Sequence, residues 1–282
     1  MKRRGSQVAQ ALREATTRLA ETSETARLDA ELLMAHALGV SRSEMLLRHM
    51  DAAAPDAFTA LVERRAAHEP VAYILGSQEF YGLDFAVSPA VLIPRRDSET
   101  LVEQALVAKP DARRVLDCGT GSGALLLAVL HNLSNATGIG IDASEAALEI
   151  ARRNAANLGL ARRAEMIRAD WTEPGWIAAL QPPFDLILAN PPYVEADAEL
   201  ARSVRAYEPG AALFSGPEGL DDYRALIPQL PQILSESGQV MVEIGWTQAE
   251  AVTAIAEGAG FVAHLHRDLE NRPRVLQLLC KK

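Results

Sequence analysis

The chain has 282 residues, 49% hydrophobic and 23% charged, which is the balance of a soluble globular protein and enough length for two unequal domains. The longest apolar stretch near a motif, Ala124 to Leu130, falls far short of the roughly 20 residues that span a bilayer, and two cysteines, Cys118 and Cys280, exclude a disulfide framework or a four-thiolate zinc site. Residues 1–70 balance their basic and acidic groups, so the whole net charge of −9 falls on the remainder, a balance that repels a phosphate backbone.

The chain opens with Met1-Lys2-Arg3-Arg4 and continues polar, without an apolar h-region, so no signal peptide is expected and a reducing, cytoplasmic setting follows. The first 70 residues read as short helices. In Ala26–Leu38 the spacing puts Leu28, Leu32, Ala35 and Leu38 on one face, and Gly39 supplies the stop. Ser41-Arg42-Ser43-Glu44 has capping-box spacing before Met45-Leu46-Leu47. Pro55 and Asp56 open a further helix that runs to about His68. Strands are not expected here.

From Val71 to Pro94 the residues turn β-branched and aromatic, broken by Gly76, Gly82 and Pro89, with a hairpin turn expected at Tyr81-Gly82-Leu83-Asp84. From about Asp97 onward strands and helices alternate. Strands are expected at Arg114–Asp117, Thr137–Asp142, Ala164–Arg168, Phe184–Ala189, Gln239–Ile244, Phe261–His266 and Arg274–Leu279. Helices are expected at Ala124–Leu133, Ser144–Leu158, Gly219–Ser235 and Thr247–Gly258. The pattern predicts an α/β fold with a doubly wound, mostly parallel sheet covered on both faces. Expected domains are a helical domain over 1–70, a β-hairpin linker over 71–96 and a catalytic domain over 97–282.

Two turns carry chemistry. Asp117-Cys118-Gly119-Thr120-Gly121-Ser122-Gly123 joins a strand to a helix, where glycines let backbone approach a ligand and the helix N-terminus favours polar or anionic groups. Asp142 ends the next strand, the place from which an acid hydrogen-bonds a ribose. Gly119, Gly121 and Ala124 also match a dinucleotide fingerprint, so spacing alone does not name the ligand. Asp117, two residues before the first glycine, favours an adenosine-type cofactor bearing a cation, such as S-adenosylmethionine.

The second turn, Asn190-Pro191-Pro192-Tyr193, follows directly on a strand. Prolines fix the backbone and remove N–H donors, so the turn presents carbonyl oxygens and the Asn190 side chain. The Asn190 oxygen and the Pro191 carbonyl are two acceptors suited to hold an –NH2 group conjugated to a carbonyl or an aromatic ring, with Tyr193 packed on its flat face. Glutamine-amide and exocyclic adenine or cytosine methyltransferases share the tetrapeptide, which therefore gives the nitrogen type and leaves the substrate open. A nucleic-acid enzyme also needs a basic track and a way to extrude a base. A nicotinamide oxidoreductase would use the same glycine turn and leave Asn190–Tyr193 unexplained.

Together with Ala26–Gly39, Pro70–Gly76, Glu79–Leu83, Val91–Glu99, Tyr207-Glu208-Pro209, Gly219-Leu220-Asp221 and Glu243-Ile244-Gly245, these motifs make the chain resemble the HemK/PrmC family, the release factor glutamine methyltransferases, from about residue 10 onward. The resemblance implies a helical N-terminal domain, a β-hairpin linker and a seven-stranded class I methyltransferase domain. It also implies methyl transfer to the N5 amide nitrogen of the glutamine in the Gly-Gly-Gln motif of peptide-chain release factors, which modulates translation termination. By the same resemblance, Gly119 through Gly123 line the methionine portion of S-adenosylmethionine, Asp142 takes the ribose, Trp171, next to Asp170, packs near the adenine, and Asn190 through Tyr193 hold the substrate glutamine. A monomer acting on a protein, with no direct nucleic acid and no membrane, is expected.

There are three departures from the family's usual residues: Arg96 for Pro, Ser98 for Thr, and Glu270-Asn271 for Ala-Gly. None is expected to touch the catalytic residues. The histidines show no ligand spacing with Cys or acids, so no metal site is expected. Asp221-Asp222, Asp197 and Glu199 read as solvated surface, and Cys118 as a small apolar spacer.

Overall fold

Helix-forming runs punctuated by Gly39, Pro55 and Pro70 fold the first part of the chain into α1 (Val8–Leu19), α2 (Ala26–Leu38), α3 (Arg42–Arg48), α4 (Ala57–Ala66) and α5 (Val71–Leu75). The computed structural model describes residues 7–281, so the Met1–Arg4 opening lies outside the described residues. Gly39 ends α2 in the left-handed region at φ 69°, and the Ser41 hydroxyl accepts from the Glu44 N–H at 3.1 Å, as the cap spacing predicts. Val8, Leu12, Leu33, Met34, Met45 and Phe58 form the core of this helical unit.

The buried face of α2 differs from the expected one. Leu28 is 41% exposed, while Ala26, Ala30, Leu33 and Met34 are buried together with Asp29 and Glu31. Both acids are fully engaged: Asp29 accepts from Arg65 Nε at 2.7 Å, Ser23 Oγ at 2.7 Å and Thr25 Oγ1 at 2.9 Å, and Glu31 accepts from Arg27 and Arg42. Counting only apolar residues misplaces a face whose polar members are paired. Val71–Leu75 likewise departs from its β-branched character. Pro70 opens it as a helix, Gly76 closes it at φ 75°, and Ile74 enters the helical core; packing overrides propensity.

The chain then forms the hairpin β1 (Ser77–Phe80) and β2 (Leu83–Ala86), joined through Tyr81 and Gly82 at φ 52° and 75°, both positive as a tight hairpin turn requires. Alternation begins with α6 (Glu99–Ala108), β3 (Arg114–Cys118), α7 (Ala124–Asn132), β4 (Thr137–Asp142), α8 (Glu145–Asn157), β5 (Ala164–Arg168) and β6 (Phe184–Ala189). It continues through α9 (Arg202–Tyr207), α10 (Asp221–Leu226), β7 (Leu234–Glu243), α11 (Ala249–Gly258), β8 (Phe261–Arg267) and β9 (Pro273–Cys280). The seven strands order as β5-β4-β3-β6-β7-β9-β8, parallel except for β9, which runs antiparallel to both its neighbours.

Successive strand residues point to opposite faces. Val115, Leu186, Leu188 and Met241 meet α6, α7 and α8 on one side, and Leu116, Ile187, Ala189, Val240 and Val242 meet α10 and α11 on the other. Cys118 is a buried member of the second core, the spacer expected of it. The single helix expected over Gly219–Ser235 is instead α10 followed by a tighter 3-10 segment over Ile227–Gln232, because Pro228 and Pro231 lack the N–H donors an α-helix needs. β7 accordingly starts at Leu234, earlier than Gln239.

Two compact units result: the described residues up to Ser77 with Leu200–Tyr207, and Gln78–Glu199 with Glu208 onward. The α9 excursion belongs to the helical unit, where the Tyr207 hydroxyl donates to the Ala67 carbonyl at 2.9 Å. No helix among the described residues is long and apolar enough to cross a membrane.

Candidate active site

Chain order reverses its march across the sheet between β3 and β6, the switch point beyond whose carboxyl ends open α/β sheets bind ligands. Cys118 pairs with Ala189, Ala189 with Val242, and Glu243 with Val275. The next residues along, Gly119, Asn190 and Glu243, with Arg274 beside them, therefore meet in one row although they are far apart in sequence.

The Gly119 and Thr120 N–H groups both donate to the Ile141 carbonyl, at 2.9 and 2.8 Å, which folds the turn back over β4. Gly119 sits at φ +75°, and a Cβ there would lie 3.1 Å from Cη2 of Trp171, so the indole packs directly against the bare Cα. Gly123, at φ +83°, caps α7.

A cavity of about 380 Å³ opens at this edge, lined by Gly119, Thr120, Gly121, Ser122, Asp142, Asp170, Trp171, Asn190 and Pro192 of the expected set. Asp142 Oδ2 accepts from the Gly121 N–H and Oδ1 from the Ser144 N–H, both at 2.9 Å, which leaves further lone pairs on each oxygen. Burial raises its pKa, against those two N–H bonds. Asp170 turns its Oδ1 to the N–H and hydroxyl of Thr172.

Asp117, Gly123, Pro191 and Tyr193 do not line the cavity. Asp117 lies fully buried behind the turn, with Oδ2 accepting from the Thr120 hydroxyl at 2.6 Å and Oδ1 without a partner. Burial pushes its carboxyl up to about 7, against the Thr120 hydrogen bond. Tyr193 packs against the core on the α10 and α11 side of the sheet. It is half-buried, with burial and the nearby Glu243 pushing its hydroxyl up to about 12, and Arg274 and Arg95 acting the other way.

Several site residues lie outside the expected set. Asp222 is not solvated surface: it lines the cavity and accepts from Trp171 Nε1 at 3.1 Å, which fixes the indole. Ser98, one of the departures expected to stay clear of the catalytic residues, lines the cavity with Oγ 3.5 Å from Asn190 Nδ2. Glu243, buried behind Asn190, carries an unpartnered Oε2. Glu208 accepts from the Ile93 N–H and from Arg95, tying the wall before α6 to the chain that returns through Pro209 and Ala211. No group of three or more His, Cys, Asp or Glu among the described residues is placed to hold a metal.

A glycine turn after the first strand of the parallel sheet, an acid ending the next strand and an Asn-Pro-Pro-Tyr turn at the switch point define a class I S-adenosylmethionine-dependent methyltransferase. Residues 109–275 match the methyltransferase domain and residues 10–76 the PrmC N-terminal domain. The fold is shared with a methyltransferase from Pyrococcus furiosus (TM-score 0.51, 16% identity, covering 78% of this chain and 96% of that one). An O-methyltransferase family protein from Burkholderia thailandensis shares it too (TM-score 0.51, 13% identity, covering 97% and 93%). The chain is 44% identical over 243 residues to the release factor glutamine methyltransferase of Geobacter sulfurreducens, covering 84% of each. It is also 44% identical over 269 residues to that of Xylella fastidiosa (strain 9a5c), covering 93% of this chain and 96% of the other. The chain belongs to the release factor glutamine methyltransferase family.

The residues present fit the methyl donor of this class. The bare Cα of Gly119 under Trp171, the spare acceptor capacity of Asp142 and the unpartnered Oδ1 of Asp117 suit a ribose-bearing cation.

Proposed function

We propose that this chain transfers a methyl group from S-adenosylmethionine to the side-chain amide nitrogen of the glutamine in the Gly-Gly-Gln motif of peptide-chain release factors. The observation that carries the reading is the position of Asn190-Pro191-Pro192-Tyr193, at the carboxyl end of β6 and beside the glycine turn around one cavity. When bound, S-adenosylmethionine supplies an activated methyl group, so that a C–N bond forms as the S–CH3 bond breaks and the amide nitrogen gives up a proton. The protein's task is then to position the two partners and exclude water.

In this reading Asp142 accepts from the ribose hydroxyls, Trp171 packs near the adenine, and Gly119 through Gly123 and Asp170 cradle the rest of the donor, with Asp117 behind them. The Asn190 oxygen and the Pro191 carbonyl accept the two N–H bonds of the substrate amide and aim its lone pair; Pro192 and Tyr193 hold that turn in shape. The helical unit, to which α5 and α9 belong, grips the protein substrate, the β1–β2 hairpin links it, and the sheet-bearing unit carries the chemistry. The balanced charge of the helical part and the acidic charge of the catalytic part favour a protein partner over nucleic acid. We place the enzyme in the cytoplasm, acting as a monomer.

Labelled-methyl transfer to purified release factor, followed by mass spectrometry of the Gly-Gly-Gln peptide, tests the proposal. Methyl on that glutamine is the expected result. Donor binding without transfer there would overturn the substrate and direct the search to other amide or amino groups.

A further inference from the structure

We propose that Glu243 is a positioning residue that fixes the rotation of the Asn190 carboxamide, so that the Asn190 oxygen faces the cavity as an acceptor for the substrate –NH2 group. The inference rests on the amide-methylating reading of the Asn190–Tyr193 turn.

A carboxamide is nearly symmetric in shape and opposite in chemistry at its two ends. Turned one way, Asn190 accepts from a substrate amine; turned the other, it presents a donor to a donor. Something must choose. The register that pairs Ala189 with Val242 sets Glu243 beside Asn190, and Glu243 is only 1% exposed and does not line the cavity. The Ser98 hydroxyl and the Asn190 amide both act on its carboxyl as hydrogen-bond donors that lower its pKa.

An ionised carboxylate only accepts, so both neighbours must donate to it. Ser98 then spends its hydrogen on Glu243 and keeps a lone pair for Asn190 Nδ2, 3.5 Å away. Every bond in the triad points the same way. The Asn190 nitrogen is held towards Ser98 and Glu243, and the oxygen is left to the cavity.

The surroundings support a carboxylate at this place. Arg274 on β9 bears on Glu243 and is itself held by Asp97 at 3.0 Å, from the turn before α6, and by Asp268 at 3.4 Å. Tyr193, from the turn after β6, faces the same cluster, and the Tyr223 hydroxyl of α10 donates to the Glu243 backbone carbonyl at 3.0 Å. Burial, opposed by Ser98, Arg274 and Asn190, places the Glu243 carboxyl at about 7. Protonation makes it a donor and removes the one-way pattern, so turnover should rise with pH across that region.

The test compares full-length wild type with Glu243→Gln, Ser98→Ala, Ser98→Thr and Asn190→Ala. Donor Kd is measured by calorimetry, and kcat and KM for release factor from about pH 6 to about pH 9. Glu243→Gln should lower kcat about 10- to 100-fold, keep donor Kd within about twofold and lose the rise near pH 7. Removing the Ser98 hydroxyl should shift that rise to higher pH, and Ser98→Thr should restore it. Glu243→Gln with wild-type kcat and an unchanged pH profile would overturn the proposal. Should that variant not fold, a Ser98→Ala profile that does not move overturns it equally. Asn190→Ala with undiminished turnover would instead refute the reading of the turn on which the inference rests.

Discussion

Gly119 and Asn190 directly follow neighbouring strands, yet the proposed roles divide donor binding from amide positioning between them. At Gly119 the backbone is left-handed and the nearest atom to an added Cβ is Trp171 Cη2 at 3.1 Å. Alanine there is strained by roughly 1–2 kcal/mol and must also displace an indole that Asp222 holds through Nε1. Gly119→Ala should therefore weaken donor Kd by about tenfold or more, with a smaller effect on kcat at saturating donor. Asn190→Ala should show the converse, about 100-fold or more off kcat with donor Kd changed by no more than about threefold. Calorimetry and single-turnover transfer separate the two. Equal loss in both quantities for either variant would show that the two turns do not act independently.

Elements hold these residues in place through polar links that no hydrophobic pattern announces. Asn154 of α8 is fully buried and makes three hydrogen bonds: Oδ1 accepts from the Ala86 N–H at 2.7 Å, and Nδ2 donates to the Ala86 and Ser122 carbonyls at 3.0 and 2.8 Å. One side chain thus ties the hairpin, a crossover helix and the glycine turn together. Asn154→Ala removes the partner of the buried Ser122 carbonyl and of the half-buried Ala86 N–H and carbonyl and should destabilise the catalytic unit by about 2–3 kcal/mol, read as a lower midpoint in urea; a change within about 0.5 kcal/mol would show that water replaces the amide.

The sequence is legible where chemistry and punctuation coincide. Apolar strands ended by Asp117 or Ala189 and followed by Gly or Pro turns can be read in order, and both turns lie where they are expected. Asn154, Ser98, Asp222 and Glu243 look like ordinary helix, turn or strand polar residues. Their roles come from parallel crossovers that join Ala189 to Val242 and Cys118 to Ala189 across long loops. The face of α2 and the break after α10 were obscured for a related reason: paired acids are buried like apolar residues, and two prolines convert the end of a helical pattern into 3-10 geometry.

At the scale of the whole molecule, the buried acids of the catalytic edge set how stability depends on pH. Burial raises Asp117 and Glu243 to about 7 and raises Asp142 as well. A raised carboxyl contributes stability that is fully present below its unfolded pKa and is lost as the pH rises through the folded value. Glu31, Asp185 and Asp268 are lowered, so their contribution is present above the unfolded value and disappears only in more acidic solution. The donor-free protein should therefore lose stability between about pH 4.5 and about pH 8. For Glu243 the rise from 4.5 to about 7 corresponds to about 3 kcal/mol at the alkaline end. Glu243→Gln should match wild type near pH 4.5 and exceed it at pH 8 by up to about that amount. All three tryptophans, Trp171, Trp176 and Trp246, lie in the catalytic unit, so urea unfolding followed by tryptophan fluorescence reads it directly. A Glu243→Gln protein that is more stable at pH 8 yet slower in turnover would separate positioning from folding, because a side chain kept only for structure should not destabilise the fold at the pH where its enzyme works. A loss of stability at pH 8 would mean instead that the ionised carboxylate is held by its partners more strongly than burial opposes it.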